Sequence, residues 1–352
     1  MEQFNFGIVG AGRIIAKFCR AFREGLVSGG SILAVASRDI NRAREFAAAN
    51  GISRAYGSYE ELLEDRDIDI VYIATTNELH FPCCEKAIRL GKHVLCEKPL
   101  TTCAADAKAL ATMAKERGVF LMEAMWTRFL PAILKAEVWV REGRLGELRS
   151  MRASLCAHRE PAEYPRIFDP AKGGGAALDL GIYCLHLARV FAGNRKLLEC
   201  KSISIQGESG VDLTNYILLE YTGGFVVDLA SSVDFSAVSD ACLFGETGCV
   251  RIDPRFSAAE SAELSAFPAG DNLREPVSIE KFDASAGGVP RHTTDALANA
   301  APVAPGFEFQ IAHTIECLRR GKTQSDLLPL AHSVEAIEII DRVRAPVKQP
   351  GC

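Results

Sequence analysis

The stretch Phe4-Asn5-Phe6-Gly7-Ile8-Val9, followed at once by Gly10-Ala11-Gly12, decides the fold of this chain. It is a short apolar strand, then a glycine pair, then a segment with helical spacing that begins at Ile14. In this context the glycines let the backbone approach a pyrophosphate, and the helix amino terminus offers N–H groups to it. The pattern predicts a dinucleotide site. Ile15 replaces the usual third small residue, and a tight turn without ligand is the alternative interpretation.

The first third of the chain alternates predicted strands with predicted helices. Strands are predicted over residues 4–9, 31–36, 68–74, 93–96 and 119–122, and helices over 14–26, 41–50, 81–90 and 102–117. Strands at this spacing, separated by helices, are typical of a doubly wound parallel sheet of the Rossmann type. We therefore assign residues 1–124 to an NAD(P)-binding domain.

After about residue 125, long strands follow one another with few helices between them. Strands are predicted over residues 148–156, 201–206, 215–221, 225–231, 241–244 and 249–252, and helices over 133–141, 177–191, 307–320 and 330–344. Glycine turns join the last four strands into two hairpins, which predicts a large, mostly antiparallel open sheet. We assign residues 125–352 to an α/β domain for substrate binding and dimerisation, with an irregular excursion over 284–306. Strand 215–221 is apolar on both faces, so one face needs a cover such as a second subunit, giving a homodimer or higher homo-oligomer.

Composition excludes several classes of protein. The 352 residues carry a net charge of −5 with no long basic run, which argues against a nucleic-acid partner. No apolar run approaches the roughly 18 residues of a membrane helix. Strand-like residues begin at Phe4, which leaves no room for a signal peptide and predicts a cytoplasmic protein. The 12 cysteines are scattered without C-x-x-C or H-E-x-x-H patterns, so we expect reduced, core-filling thiols and no metal.

The residues after the second predicted strand decide the form of the cofactor. An acidic residue there would accept a hydrogen bond from a ribose hydroxyl, but this chain has Ser37-Arg38, and Asp39 has already turned into the next helix. Arg38 can pair with a 2′-phosphate, so we predict NADP over NAD, with NAD possible; a surface arginine that caps the loop is the alternative. Cofactor-binding residues are predicted to be Gly10, Gly12, Arg13, Ile14, Ser37, Arg38, Thr75, Asn77, His80, Glu97 and Lys98. For His80 there is an equal alternative, namely that it lies at the start of the helix and binds no ligand.

A second glycine-rich stretch, Gly173-Gly174-Gly175, opens a predicted helix that carries Asp179, Tyr183 and His186. At 100° per residue these three side chains occupy one face. With Lys98 lowering its pKa, Tyr183 would accept a substrate hydroxyl proton during oxidation and return it during reduction, and Asp179 would orient the substrate or the lysine. A buried tyrosine with a satisfied hydroxyl is the alternative.

These motifs resemble the Gfo/Idh/MocA family of oxidoreductases over nearly the whole chain. The resemblance rests on the first glycine loop, Glu97-Lys98-Pro99, Gly306-Phe307-Glu308-Phe309 and the stretch from Glu123 to Pro131. The last stretch is similar to the branch that contains dimeric dihydrodiol dehydrogenases and NADP-dependent D-xylose 1-dehydrogenases. The resemblance implies catalytic roles for Lys98 and Tyr183, a cis peptide at Pro99 and no role for His186. It also implies that Trp126 and Arg128 lie near cofactor and substrate.

The predicted function is therefore hydride transfer between NADP and a carbinol carbon of a sugar, cyclic polyol or trans-dihydrodiol. Substrate-binding residues are predicted to be Trp126, Arg128, Phe168, Asp179 and Tyr183, since polar groups suit several hydroxyls and aromatic rings stack on a sugar face. The substrate is a small polyhydroxylated molecule. The alternative is a non-catalytic NADP-binding regulator or sensor of the same fold; retention of both Lys98 and Tyr183 argues against it.

Overall fold

A computed structural model describes residues 3–12, 14–267, 276–284 and 306–344 of the chain. Within these residues, contacts divide the protein into two compact units. The first contains the described residues up to Phe129 together with 306–334, and the second contains the described residues from Leu130 to 284 together with 335–344. The assignment of nucleotide binding to residues 1–124 and of substrate binding to 125–352 stays a prediction.

The first unit contains a parallel sheet of six strands in the order β3-β2-β1-β4-β5-β6. Its strands are β1 (Phe4–Val9), β2 (Gly30–Ala36), β3 (Arg54–Tyr56), β4 (Ile70–Ile73), β5 (His93–Glu97) and β6 (Leu121–Ala124). The helices are α1 (Ile15–Arg23), α2 (Ile40–Asn50), α3 (Tyr59–Glu64), α4 (His80–Arg89), α5 (Ala104–Arg117) and α8 (Phe307–Arg319). The predicted doubly wound sheet is confirmed. We did not predict β3 and α3, because segments of three and six residues are too short to show a period.

The core of the first unit explains why its strands are apolar on both faces. Val9, Val71, Ile73 and Val94 are fully buried in one cluster with side chains from the helices that cover the sheet, such as Ile88. Parallel strands covered by helices on both faces read as continuous apolar runs. This packing brings the carboxyl ends of β1, β2, β4 and β5 to one edge of the sheet.

The second unit contains a sheet of eight strands in the order β14-β13-β12-β11-β7-β10-β9-β8. Its strands are β7 (Leu148–Cys156), β8 (Leu197–Gln206), β9 (Asp212–Tyr221), β10 (Phe225–Ser232), β11 (Ala241–Gly245), β12 (Gly248–Ile252), β13 (Ser261–Ala266) and β14 (Ser278–Asp283). The helices are α6 (Pro131–Arg141) and α7 (Ile182–Ala192), and α9 (Leu330–Arg344) ends in this unit. Within this sheet, β7 and β10 are the only described neighbours that pair in parallel, which confirms a mostly antiparallel sheet. The predicted irregular excursion lies almost wholly outside the described residues.

One described helical stretch, Pro170–Ala192, is long and apolar enough to cross a membrane by length and composition alone. Its most apolar window is 89% buried inside the protein, as is typical of a core helix. The cysteines among the described residues are free thiols. Burial raises the pKa of Cys19 and Cys83 to about 12, so these two thiols are inert core residues at neutral pH. Cytoplasmic location stays a prediction.

Candidate active site

The first glycine loop lies between β1 and α1. Gly10 has φ +107, and a Cβ there would lie 2.6 Å from the carbonyl oxygen of Ala74, so only glycine fits. A Cβ on Gly12 would meet nothing closer than 3.8 Å, so this side of the loop is open. The N-cap of helix α1 is Ile14, which makes no side-chain cap hydrogen bond, and the first turn of the helix contains no acidic residue. These residues fit a dinucleotide pyrophosphate, which such a helix start attracts. Arg13 lies outside the described residues.

The end of β2 carries the residues predicted to select the cofactor. Ser37 is buried and Arg38 is exposed. The Asp39 carboxylate accepts the backbone N–H of Asn41 at 2.9 Å as the cap of α2, which confirms that it has turned into the helix. Burial raises the pKa of Tyr59, and the Arg38 guanidinium beside it partly opposes that rise. Arg38 is therefore an exposed cation at this corner of the sheet.

Sequence reasoning missed Arg42, which lies on the first turn of α2. Its Nη2 donates to the carbonyl oxygen of Ala11 at 2.6 Å, inside the glycine loop. Arg38 precedes the N-cap Asp39 and lies outside the helix, but both guanidinium groups lower the pKa of the Tyr59 hydroxyl against the effect of burial. The available signal was a second arginine in the first turn of the helix that follows β2. Together the two arginines make the region around the loop cationic.

The loop after β4 approaches the turn after β5. Asn77 and His80 are buried, and Thr75 is half-buried. His80 is the first residue of α4, and its Nδ1 donates to the Pro99 carbonyl oxygen at 2.7 Å because a carbonyl only accepts. Burial lowers the pKa of His80, which favours the neutral ring. His80 thus holds the residue that follows Lys98.

The Glu97-Lys98-Pro99 turn leaves β5 at the same edge. The Lys98–Pro99 peptide is cis, as the resemblance implied. Glu97 is buried and accepts a hydrogen bond from the Tyr72 hydroxyl. Burial raises the pKa of Glu97 to about 7, and the nearby Tyr72 hydroxyl and Lys98 ammonium oppose that rise. Lys98 itself is half-buried.

In the second unit the second glycine loop leads into an irregular helix. Residues Ala177–Gly181 form a π turn and α7 begins only at Ile182, so the predicted regular helix over 177–191 was wrong in its first turn. A π turn holds more residues than an α turn, so the 100° spacing used to place Asp179 and Tyr183 on one face does not apply there. Such turns are frequent at functional sites.

The candidate substrate residues of this segment differ in exposure. Asp179 is buried, and its Oδ1 accepts a hydrogen bond from Nη2 of Arg166 at 2.9 Å. Tyr183 is half-buried on α7, and His186 is buried one turn later. Phe168 is half-buried in the short helical turn Pro165–Phe168, beside the loop. The ion pair leaves part of the exposed Arg166 guanidinium available to solvent.

Trp126 and Arg128 belong to the first unit, in the turn Trp126–Phe129 after β6. The Trp126 ring stacks on Phe307 of α8, with centroids 5.6 Å apart, and the Lys17 ammonium lies 6.0 Å from the ring. Arg128 is buried, and its Nε donates to the Leu327 carbonyl oxygen at 2.9 Å. These contacts fix both side chains, and their predicted substrate roles stay predictions.

A group of metal-ligand types lies near the end of α8. His313, Cys317 and Asp326 have ligand atoms within 4.8 Å of one another. Ser325 Oγ accepts two backbone N–H groups and therefore donates its proton to His313 Nε2 at 2.7 Å. Lys322 pairs with Asp326. These contacts make the group a network of hydrogen bonds and an ion pair, so we assign no metal to it.

Comparison with known proteins identifies the family. A family model described as "Oxidoreductase family, NAD-binding Rossmann fold" matches residues 4–125, and the "GFO/IDH/MocA C-terminal domain" matches residues 133–251. The chain belongs to the Gfo/Idh/MocA family. It is 34% identical over 344 residues to the trans-1,2-dihydrobenzene-1,2-diol dehydrogenase of Sus scrofa, covering 97% of this chain and 96% of that protein.

Solved structures share the fold. Levoglucosan dehydrogenase in complex with NADH and levoglucosan superposes with a TM-score of 0.83 at 18% identity, covering 98% of both chains. A 3-ketoreductase from Actinomadura kijaniata, in complex with NADP and TDP-benzene, superposes with a TM-score of 0.77 at 25% identity, covering 97% of both. This member of the Gfo/Idh/MocA family is therefore an enzyme, an NAD(P)-dependent dehydrogenase acting on CH–OH groups.

Proposed function

We propose that this enzyme transfers hydride between NADP and a carbinol carbon of a sugar, cyclic polyol or trans-dihydrodiol. The observation that carries the proposal is the retention of both proton-handling groups on the scaffold of the family. Lys98 follows β5 at the carboxyl edge of the parallel sheet, and Tyr183 is a half-buried phenol on the helix behind the second glycine loop. When bound, the nicotinamide supplies the hydride acceptor or donor.

The proton chemistry belongs to the chain's own side chains. During oxidation, Tyr183 as phenolate accepts the hydroxyl proton of the substrate, which lets the carbinol carbon release hydride. During reduction, the Tyr183 hydroxyl returns a proton to the carbonyl oxygen. The Lys98 ammonium stabilises the anionic form of the phenol. Asp179, held by Arg166, orients a substrate hydroxyl.

The choice of NADP is supported by charge at the end of β2. Arg38 is exposed at that position, Arg42 lies beside the first glycine loop, and the carboxylate of Asp39 is used as the cap of α2. A ribose 2′-hydroxyl would lack a carboxylate acceptor there, whereas a 2′-phosphate would find two guanidinium groups. Gly10, Gly12, Ile14, Ser37, Thr75, Asn77, His80 and Glu97 complete the proposed cofactor site among the described residues.

The substrate class is supported by the side chains of the second glycine region and by the relatives. Asp179 and Arg166 suit hydroxyl groups, and Phe168 offers a ring that can stack on a sugar or diol. Trp126 and Arg128 are the proposed contacts from the first unit. The relative from Sus scrofa is a trans-1,2-dihydrobenzene-1,2-diol dehydrogenase, and one solved dehydrogenase of the same fold binds levoglucosan.

The test is a substrate panel with NADP and NAD, read as the change in absorbance of the reduced nicotinamide. The panel contains aldoses, cyclic polyols and trans-1,2-dihydrobenzene-1,2-diol. We expect turnover of at least one class, with a higher kcat/KM for NADP than for NAD. Cofactor binding without turnover of any compound, in either direction, would contradict the proposal and favour the sensor.

We further propose that the large sheet forms a homodimer interface. On its edge, Ile203 of β8 lies opposite Tyr216 of β9, and these side chains are 67% and 45% exposed, while Leu218 is 47% exposed. Such neighbouring apolar side chains are typical of an interaction surface. Light scattering of the wild type and of Tyr216→Glu tests this proposal. We expect the wild type to be a dimer and the variant to be a smaller species. A monomeric wild type would contradict the proposal.

A further inference from the structure

A buried carboxylate lies against the start of the helical segment that carries Asp179 and Tyr183. Asp212, the first residue of β9, is only 1% exposed. Its Oδ2 accepts the backbone N–H of Ala177 at 2.6 Å and the side-chain amide of Asn215 at 2.7 Å. Burial raises the pKa of Asp212, and these two donors oppose that rise.

A guanidinium completes the surroundings of this carboxylate. Nε of Arg344, on α9, lies 3.4 Å from Oδ1 of Asp212. Asn215 is itself fully buried, and its side-chain oxygen accepts a hydrogen bond from Ser204 at 2.8 Å. The ion pair and the two hydrogen bonds all favour the ionised carboxylate and oppose the effect of burial, and a negative charge is favourable at the amino-terminal end of a helical segment.

The second glycine loop is shaped around this carboxylate. Gly175 has φ +110, and a Cβ there would lie 2.1 Å from Oδ1 of Asp212. Gly181, at the end of the π turn, comes close to the neighbouring strand, since a Cβ there would lie 3.0 Å from Ser231 Oγ. Asn215 and Ser231 face each other in the register of β9 and β10. The turn therefore sits on a polar floor made by these two strands.

The anchor matters because the segment is a π turn. Its carbonyl-to-amide pairing differs by one residue from that of an α-helix, so a slip to α pairing would rotate Asp179 and Tyr183 relative to the sheet. Ala177 is the first residue of the turn, and its N–H is the group that Asp212 binds. A bond at that position fixes where the turn begins.

We propose that Asp212 is a positioning residue that sets the register of the π turn and thereby the placement of Asp179 and Tyr183 for hydride transfer. The inference rests on the proposed function for its catalytic consequence. In Asp212→Asn the volume is kept, but the amide nitrogen must face at least one donor, so a hydrogen bond or the ion pair is lost. Asp228→Asn is the matched control, because Asp228 is exposed on the adjacent strand β10.

Two measurements on the full-length enzyme test the proposal. In Asp212→Asn we expect faster hydrogen–deuterium exchange over 177–183, and a kcat lower by about ten- to a hundredfold, as small misplacements of reacting groups produce. We also expect a larger primary isotope effect on kcat with substrate deuterated at the carbinol carbon. A defect in folding alone would reduce the active fraction and leave the isotope effect unchanged. The NADP dissociation constant and the Asp228→Asn control should match wild type.

The outcomes separate the two proposals. Unchanged exchange over 177–183 in Asp212→Asn would overturn the anchoring role, whatever the activity. Faster exchange with unchanged kcat and isotope effect would overturn the positioning role. A wild type that turns over no compound of the panel would instead refute the proposed function, while the exchange data would still decide whether Asp212 anchors the turn.

Discussion

The two glycine loops of this enzyme lead into helical segments in opposite ways. After Gly10-Ala11-Gly12, α1 starts without a side-chain cap and without a carboxylate in its first turn. After Gly173-Gly174-Gly175, the first N–H of the π turn is bound by the buried carboxylate of Asp212. Both loops need glycine for close approach and for positive φ, at Gly10 and Gly175.

The difference supports a separate role for each helix start. An uncapped amino terminus keeps its N–H groups available for an external anion, which suits a dinucleotide phosphate. An amino terminus closed by an internal carboxylate cannot serve an external anion at that group, but it is held rigidly in place. We therefore propose that the first loop binds the cofactor and that the second positions the reacting groups.

Replacing the phenol gives the largest expected effect and tests the chemical half of the comparison. In Tyr183→Phe, turnover should fall by about a hundred- to ten-thousandfold, because general acid–base catalysis contributes that much. The NADP dissociation constant should stay unchanged, since the first loop is untouched. Steady-state kinetics and a cofactor titration measure both. Turnover equal to wild type would remove Tyr183 from the mechanism.

The buried carboxyl of the first unit provides a pH test. With its pKa raised to about 7, folded Glu97 holds a proton between about pH 4.5 and 7 that the unfolded chain has lost. The contribution of Glu97 to stability is therefore full below pH 4.5 and is lost as pH rises through 7. The free energy of unfolding should fall over this range by on the order of 3 kcal/mol from this group.

Denaturant titrations of wild type and Glu97→Gln across this range measure that contribution. The variant should lose most of the slope, whereas Glu116→Gln, at an exposed position of α5, should keep it. If the free energy of unfolding depended on pH in the same way in wild type and Glu97→Gln, Glu97 would be ionised throughout this range. That result would contradict the raised pKa of Glu97.

Reversing the charge at the end of β2 tests the proposed cofactor role of the first glycine loop and its surroundings. In Arg38→Asp, the preference for NADP over NAD should drop by about ten- to a hundredfold, since a charge-assisted bond contributes about 1.5–3 kcal/mol. The ratio of kcat/KM values for the two cofactors measures it. Arg44→Asp, an exposed change on α2, is the control. An unaltered ratio in Arg38→Asp would show that another residue selects the nucleotide.

Adding one methyl group to each loop tests the comparison directly. A Cβ on Gly12 has room in the protein, so Gly12→Ala should leave the melting temperature of the cofactor-free enzyme unchanged. The same methyl group obstructs the approach of the pyrophosphate, so the NADP dissociation constant should rise about tenfold or more. Gly175→Ala should do the reverse and lower the melting temperature without changing cofactor affinity. If both variants changed the melting temperature and the NADP dissociation constant in the same way, the two loops would not have the separate roles proposed here.

Local sequence patterns predicted a large part of this enzyme. The strand–Gly10-Ala11-Gly12–helix unit, the alternation that follows it and the hairpins of the large sheet are short-range signals, because strand and helix periods appear within ten residues. Asp39 as a helix cap, Lys98 directly after β5 and Tyr183 within the predicted helix also follow from local order. Where the pattern was too short, as at β3 and α3, it failed.

Only the tertiary structure decided how these elements are fixed to one another. The bond from Arg42 to Ala11 spans 31 residues, and that from Ala177 to Asp212 spans 35. The π turn replaced a regular helix where Gly181 meets the floor made by β9 and β10. A sequence records which side chains can donate or accept, but the choice of partner depends on which buried groups folding brings within hydrogen-bonding distance.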